Sequence, residues 1–300
     1  MQGKKDKMGN KDTTEKVLAD YKDVFADIIN ALVFKGEQRV KPEALENTMA
    51  KSMYKSDNSK LHEQERDVVK IWKECNIELA ICGIENQTKT EKYMPLRILG
   101  YDGASYRSQL LDKKSSPVAV MTIVLYFGTD KKWDEPTHLK DVIQIPDGLD
   151  DYINDYKITV FNIAWLTDEE IARFKSDFKI VADFFVQKRK NHSYVPDNKT
   201  TIQHLDAMLK LLSVMTGDNR YEEVLEGNDM EGENTMDVVY ENILKKGEVK
   251  GKAEGKAEGE AQLGKLIHLL LQNNRIEDVK KASVDEEARK KFYKEFGIID

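Results

Sequence analysis

Asp67, Glu85 and Gln87 are the residues of this chain whose types and spacing most readily do chemistry. Hydrolysing a phosphodiester at neutral pH calls for a divalent ion that neutralises the phosphate and makes hydroxide available from bound water. Hard ions such as Mg²⁺ take oxygen ligands, one or two of them carboxylates and the rest water and substrate. Asp67 lies at the start of one extended segment and Glu85 at the end of the next. A turn near Cys75 would set them on neighbouring strands at one end of a sheet. Gln87 follows Glu85 by two residues, so in extended chain the two side chains share a face. The residues alone leave a second reading open, and it is the commoner one: two solvated carboxylates on a surface hairpin. What singles out Glu85 is its place between the apolar run Leu79 to Ile84 and the polar Asn86-Gln87-Thr88, where a buried strand emerges.

Tyr101, Tyr106, Arg107 and Gln109 follow the second strand and open the next helix, where Arg and amide groups would meet phosphate. No carboxylate stands three or four residues from Arg107, which leaves it available to an anion. Other chemistry is poorly supported. The five histidines are dispersed, no Gly-x-Ser-x-Gly element is present, and Gly100-Tyr101-Asp102-Gly103 is no phosphate loop by pattern.

The elements that must position these residues can be read from periodicity. Glu15 to Phe34 has helical spacing and is ended by Gly36, and Lys41-Pro42-Glu43 opens a short helical piece. Ser52 to Lys60 reads as a loop. Arg66 to Trp72 and Ile77 to Glu85 form a strand pair, and Val118 to Phe127 is apolar and β-branched enough for a strand buried on both faces. Ile158 to Ala164 is a fourth strand. Tyr101 to Leu111, Thr167 to Lys188 and Thr201 to Met215 read as helices, the second behind a capping box at Thr167 and Glu170. Helices alternating with strands predict an α/β domain.

The segment 217–233 is acidic, and the chain then continues as a short helix to about Lys245. Gly247, Gly251, Gly255 and Gly259 recur every four residues; at about 1 kcal/mol per helical glycine, a flexible connector over 246–262 is expected. Leu263 to Leu271 and Glu286 to Phe296 read as two short helices, a C-terminal segment suited to self-association. The expected organisation is a polar tail (1–14), a catalytic domain (15–245), the connector (246–262) and the helical appendage (263–300).

Net charge is −7, the wrong sign for a broad nucleic-acid-coating surface, so any DNA contact must be local. No apolar run is long enough to span a bilayer, and Cys75 and Cys82 lack the partners of a zinc site. A reduced cytoplasm without membrane attachment is the expected setting.

The order Arg66-Asp67-Val68-Val69-Lys70, Gly83-Ile84-Glu85-Asn86-Gln87-Thr88, Met94-Pro95-Leu96-Arg97 and Gly100-Tyr101-Asp102-Gly103-Ala104-Ser105-Tyr106-Arg107 resembles the Rpn family. These are recombination-promoting nucleases, also described as YhgA-like putative transposases, and they look like a branch of the PD-(D/E)XK superfamily. The similarity runs on through Leu125 to Thr129, Trp165-Leu166-Thr167 and Met215 to Asp218, covering most of 15–245, and the Gly-Lys-Ala-Glu tail fits it. The resemblance implies a restriction-endonuclease-like mixed sheet flanked by helices. It implies a Mg²⁺-dependent (or Mn²⁺-dependent) DNA endonuclease in which Asp67 and Glu85 hold metal, Asp27 from the first helix joins them, and Gln87 assists the attacking water. Gln87 departs from the superfamily's usual lysine. Glutamine can orient water by hydrogen bonds but brings no charge, and Lys70, Lys89 and Arg97 are the candidates for the missing cation. The alternative is an inactive DNA-binding or protein-interaction module on the same fold.

Overall fold

A computed structural model describes residues 18–48, 51–55, 61–65, 67–74, 77–111, 116–226 and 232–299. The expected polar tail and the turn at Cys75 lie outside them. The chain divides into two compact units, Met1–Tyr240 and Glu241–Asp300.

The first unit is built on a five-stranded mixed sheet in the order β1-β4-β5-β6-β7. Its strands are β1 (Leu45–Asn47), β4 (Val68–Glu74), β5 (Ile77–Gln87), β6 (Ala119–Tyr126) and β7 (Thr159–Asn162). Strands β1, β4 and β5 are antiparallel neighbours, whereas β5, β6 and β7 run parallel. Parallel strands are covered on both faces, and β6 shows it: Thr122 through Tyr126 is buried without interruption. The sheet with its flanking helices is the α/β architecture expected from the sequence.

Helix α1 (Lys22–Ile28) continues into a π-helical turn (Ile29–Val33) and stops at Gly36, whose φ of +97° costs little without a side chain. Where a loop was expected, Lys51–Lys55 and Leu61–Glu65 pair as a separate two-stranded ribbon, β2 and β3. The polar composition of Ser52 to Lys60 made that stretch look like a solvated connection.

Helix α2 (Met94–Leu111) begins two turns earlier than periodicity indicates, so Tyr101 lies within the helix and does not open it. Pro95 hid the start, yet a proline in the first turn loses no hydrogen bond. Met94, Ile98 and Tyr101 pack with Val124 of β6 and Ile158. Asp102 fastens the same helix to the sheet by accepting from Thr122 Oγ1 at 2.6 Å and from the Tyr156 hydroxyl.

The amphipathic stretch 167–188 is two helices, α3 (Asp168–Ile171) and α4 (Phe178–Lys190), with the expected capping box at Thr167 and Glu170 intact. At the break the Asp177 carboxylate accepts from the backbone N–H of Gln203 at 3.0 Å and of His204 at 2.6 Å, drawing in the chain before α5 (Leu205–Thr216). A shorter helix, α6 (Arg220–Glu226), follows.

Helix α7 (Met236–Gln272) runs without interruption through the glycine repeat, contrary to the flexible connector expected there. Lysine and glutamate four apart, as in the 2.6 Å pair Lys252–Glu248, and interleaved alanines favour the helix and recover part of the glycine cost. In the second unit, α8 (Ile276–Val284) and α9 (Glu286–Glu295) gather around Leu266, Leu270, Ala282 and Tyr293.

Candidate active site

Asp67 and Glu85 face each other across β4 and β5. The register aligns Val68 with Ile84, so the preceding and following residues are opposite, and directly opposed side chains in an antiparallel pair share a face. Both acids are buried, Asp67 5% and Glu85 0% exposed. They are interlocked through the backbone. The Asp67 N–H donates to Glu85 Oε1 at 3.3 Å, and the Asn86 N–H donates to Asp67 Oδ2 at 2.6 Å. The sequence expectation of two neighbouring strands carrying one acid each at the same end is met.

A guanidinium closes this pair from the helix side. Arg97 Nη2 lies 2.9 Å from Glu85 Oε2, Arg97 Nε donates to the Tyr101 hydroxyl at 2.8 Å, and Arg97 Nη1 reaches Glu91 Oε2 at 3.4 Å. One helical turn separates Arg97 from Tyr101, which stacks both over the acids. Burial works to lower the Arg97 pKa, but the Glu85 carboxylate, the Tyr101 hydroxyl and Asp67 outweigh it and raise it. Burial, then the Glu85 charge, pushes the Tyr101 phenol up to about 12, against the opposing pull of Arg97. Arg97 therefore stays charged and Tyr101 stays protonated in the neutral range.

Of the three cations considered as substitutes for a lysine at position 87, only Arg97 touches the acids in the contacts seen. Lys70 alternates to the opposite face of β4, where it is fully buried, donates to Asp20 Oδ1 at 2.7 Å and Asn47 Oδ1 at 2.8 Å, and lies over the Phe25 ring. Lys89 is exposed beyond the end of β5. Gln87 is half-buried on the Glu85 face, aligned with Tyr126 of β6.

Asp27 is not gathered into a metal-sized group with Asp67 and Glu85. Its Oδ2 accepts from the backbone N–H groups of Lys175 and Ser176, at 2.8 and 2.7 Å, and holds α1 to the segment before α4. Among the described residues no three His, Cys, Asp or Glu side chains come close enough to share an ion. Asn30, three residues on from Asp27, accepts from the N–H groups of Arg39 and Val40 and donates to the Val40 carbonyl.

The expected phosphate contacts on α2 are mostly committed elsewhere. Gln109 is 2% exposed, its Oε1 accepting from the Val118 N–H at 2.7 Å and its Nε2 donating to the Val118 carbonyl at 3.2 Å. The Tyr106 hydroxyl accepts from the Val120 N–H at 3.1 Å. Both residues anchor the start of β6, and Tyr101 is held under Arg97. Arg107 alone of the four is exposed without a structural duty in the contacts seen. Of the candidate cations the fold places Arg97 against Glu85, and its four-residue step to Tyr101 was unreadable while the helix was begun at Tyr101.

Residues 69–216 match the family model described as putative transposase, YhgA-like. Over that span the chain is similar to that family. The matched span contains Glu85, Gln87, Arg97 and all of α2, while Asp67 lies two residues ahead of it and Asp27 further still. No curated protein and no solved structure matches the chain.

Among the described residues no helix is long and apolar enough to cross a membrane.

Proposed function

We propose that the chain is a metal-dependent DNA endonuclease serving recombination, with Asp67 and Glu85 as metal ligands and Gln87 as the group that orients the attacking water. The observation that carries this reading is the burial of two opposed carboxylates against one guanidinium. Two acids taken out of water side by side cost several kcal/mol unless something recovers it, and a fold seeking stability alone would place apolar residues there. Acids gathered in a buried place commonly serve function, and two opposed carboxylates are oxygen ligands of the kind a divalent cation takes.

The donor set fits such an ion. Two carboxylates and an amide oxygen are hard ligands, and Mg²⁺ commonly takes only one or two protein carboxylates, so a third acid is not required. Bound there, the ion would neutralise phosphate charge and provide hydroxide at neutral pH. Asp67 and Glu85 present oxygens held in place by the Asn86 and Asp67 N–H groups. Gln87 offers a carbonyl to a water proton and an amide N–H to a phosphate oxygen. Arg97, freed from Glu85, has a planar donor fork suited to a phosphate.

The second reading, an inactive DNA-binding or interaction module, is favoured by the same Arg97, whose ion pair occupies a Glu85 oxygen, and by glutamine in place of lysine. Conversion of supercoiled plasmid to nicked and linear forms in Mg²⁺ separates the two. Wild type should cleave, and Glu85→Ala and Asp67→Ala should each be slower by at least about a hundredfold. Equal cleavage by all three would remove the site assignment, and no cleavage by any would favour the module.

A further inference from the structure

Beyond the carboxyl ends of β5 and β6 the chain forms a partly enclosed cavity of about 540 Å³. Lys89, Lys131 and Lys188 line it together with hydroxyls from Thr88 and Thr129, while the lining Thr216 hydroxyl donates to the Leu212 carbonyl at 2.7 Å. Its floor is aromatic, from Tyr126, Phe127 and Phe185. Three lysines face a single lining carboxylate, Asp130, in a chain whose net charge is −7. Lys131 is paired with Asp134 at 2.6 Å, whereas Lys89 and Lys188 make no ion pair among the described residues. Asp130, Asp134 beside Lys131 and Asp218 within electrostatic reach of Lys188 offset part of this charge, and Lys89 and Lys188, which hold no contact ion pair among the described residues, remain open to an anionic ligand.

Hydroxyl and ammonium donors together match phosphate oxygens, while the volume suits an organic ligand better than a bare inorganic ion. The place is the usual one for ligands in α/β sheets, outside the carboxyl ends of parallel strands. Register ties it to the acids, because β5 runs from Glu85 through Gln87 directly into Thr88 and Lys89. Four residues of extended chain separate Glu85 from Lys89, at most about 13 Å. Gly128 shapes the wall: a Cβ there would fall 2.0 Å from the Tyr126 hydroxyl, so any side chain would push that ring out of the floor.

We infer that this cavity binds a phosphate-bearing nucleotide of a DNA strand beside the Asp67–Glu85 pair, a reading that rests on the nuclease assignment above. The alternative source of the same chemistry is a free nucleotide, and the test separates them.

Binding of a labelled single strand of roughly twelve nucleotides to the full chain is read by fluorescence anisotropy in EDTA, so that cleavage plays no part. The Lys89→Gln/Lys188→Gln double variant should bind at least about tenfold more weakly, and its plot of log affinity against log salt should be shallower by about 0.7 per lysine. Lys252→Gln on α7 should change neither quantity. Wild-type affinity and slope in the double variant would overturn the inference. So would displacement of the strand by a deoxynucleoside monophosphate at concentrations no higher than unlabelled strand requires, which would assign the cavity to free nucleotides. Lysine-dependent strand binding in a wild type that never nicks plasmid would remove the nuclease reading and leave the cavity assigned.

Discussion

Arg97 and Glu85 form an ion pair of 2.9 Å in which the carboxylate is fully buried and the guanidinium 31% exposed. It joins the first turn of α2 to the end of β5, so the helix that covers the acidic pair is fixed by the acid it covers. Metal binding and this ion pair draw on the same oxygen.

Removing Arg97 should therefore have two separable effects. Arg97→Ala leaves Glu85 buried beside Asp67 without its partner, and stability should fall by about 3 kcal/mol, read as a lower urea midpoint at unchanged slope. In the same variant Mg²⁺ should raise the melting temperature more than it does in wild type, since the ion no longer displaces a cation. A Mg²⁺ shift equal in the two proteins would mean that the ion does not meet Glu85.

Relieving the charge crowding should trade activity for stability. Asp67→Asn keeps an oxygen for the Asn86 N–H and removes one of two neighbouring buried charges. The expectation is a gain of roughly 1 kcal/mol in urea unfolding together with loss of plasmid nicking. A loss of stability would show that the two acids do not repel each other in the folded chain.

Tyr101 gives a pH signature. Its phenol is raised from 10.0 to about 12, first by burial and then by the Glu85 charge. A folded-state pKa above the unfolded one means that the stabilisation is complete below pH 10 and is lost as pH rises from about 10 to 12. Wild type should lose on the order of 2 kcal/mol across that window more than Tyr101→Phe does, measured by urea midpoints at each pH. Parallel curves for the two proteins would refute the assignment.

The glycine repeat offers a stability gain without a packing penalty. A Cβ added at Gly247, Gly251, Gly255 or Gly259 meets nothing within 4 Å. Each Gly→Ala change should add nearly 1 kcal/mol to local helix stability, seen as slower amide hydrogen exchange across the repeat. Exchange unchanged in the fourfold variant would argue against a helix at the repeat.

Composition and period determined much of this protein. The β-branched run of β6 can satisfy its burial only between neighbours in a sheet, the two-residue step from Glu85 to Gln87 sets both on one face, and Thr167 with Glu170 starts a helix wherever it occurs. Such features are local, and local sequence decides them. The strands β2 and β3 escaped because their pattern is polar, and the helical repeat escaped because glycine propensity by itself reads as a connector. What Asp27, Gln109 and Tyr106 do was beyond the sequence, since each spends its oxygen on a backbone N–H brought near only by folding: Asp27 on residues 148 and 149 positions away, Gln109 on Val118 and Tyr106 on Val120. The Asp67 and Glu85 carboxylates were legible as a candidate pair. That they lie directly opposed, buried and under Arg97 was settled by strand register and by the docking of α2, because burial and ion pairing depend on contacts between segments that the linear order of residues does not contain.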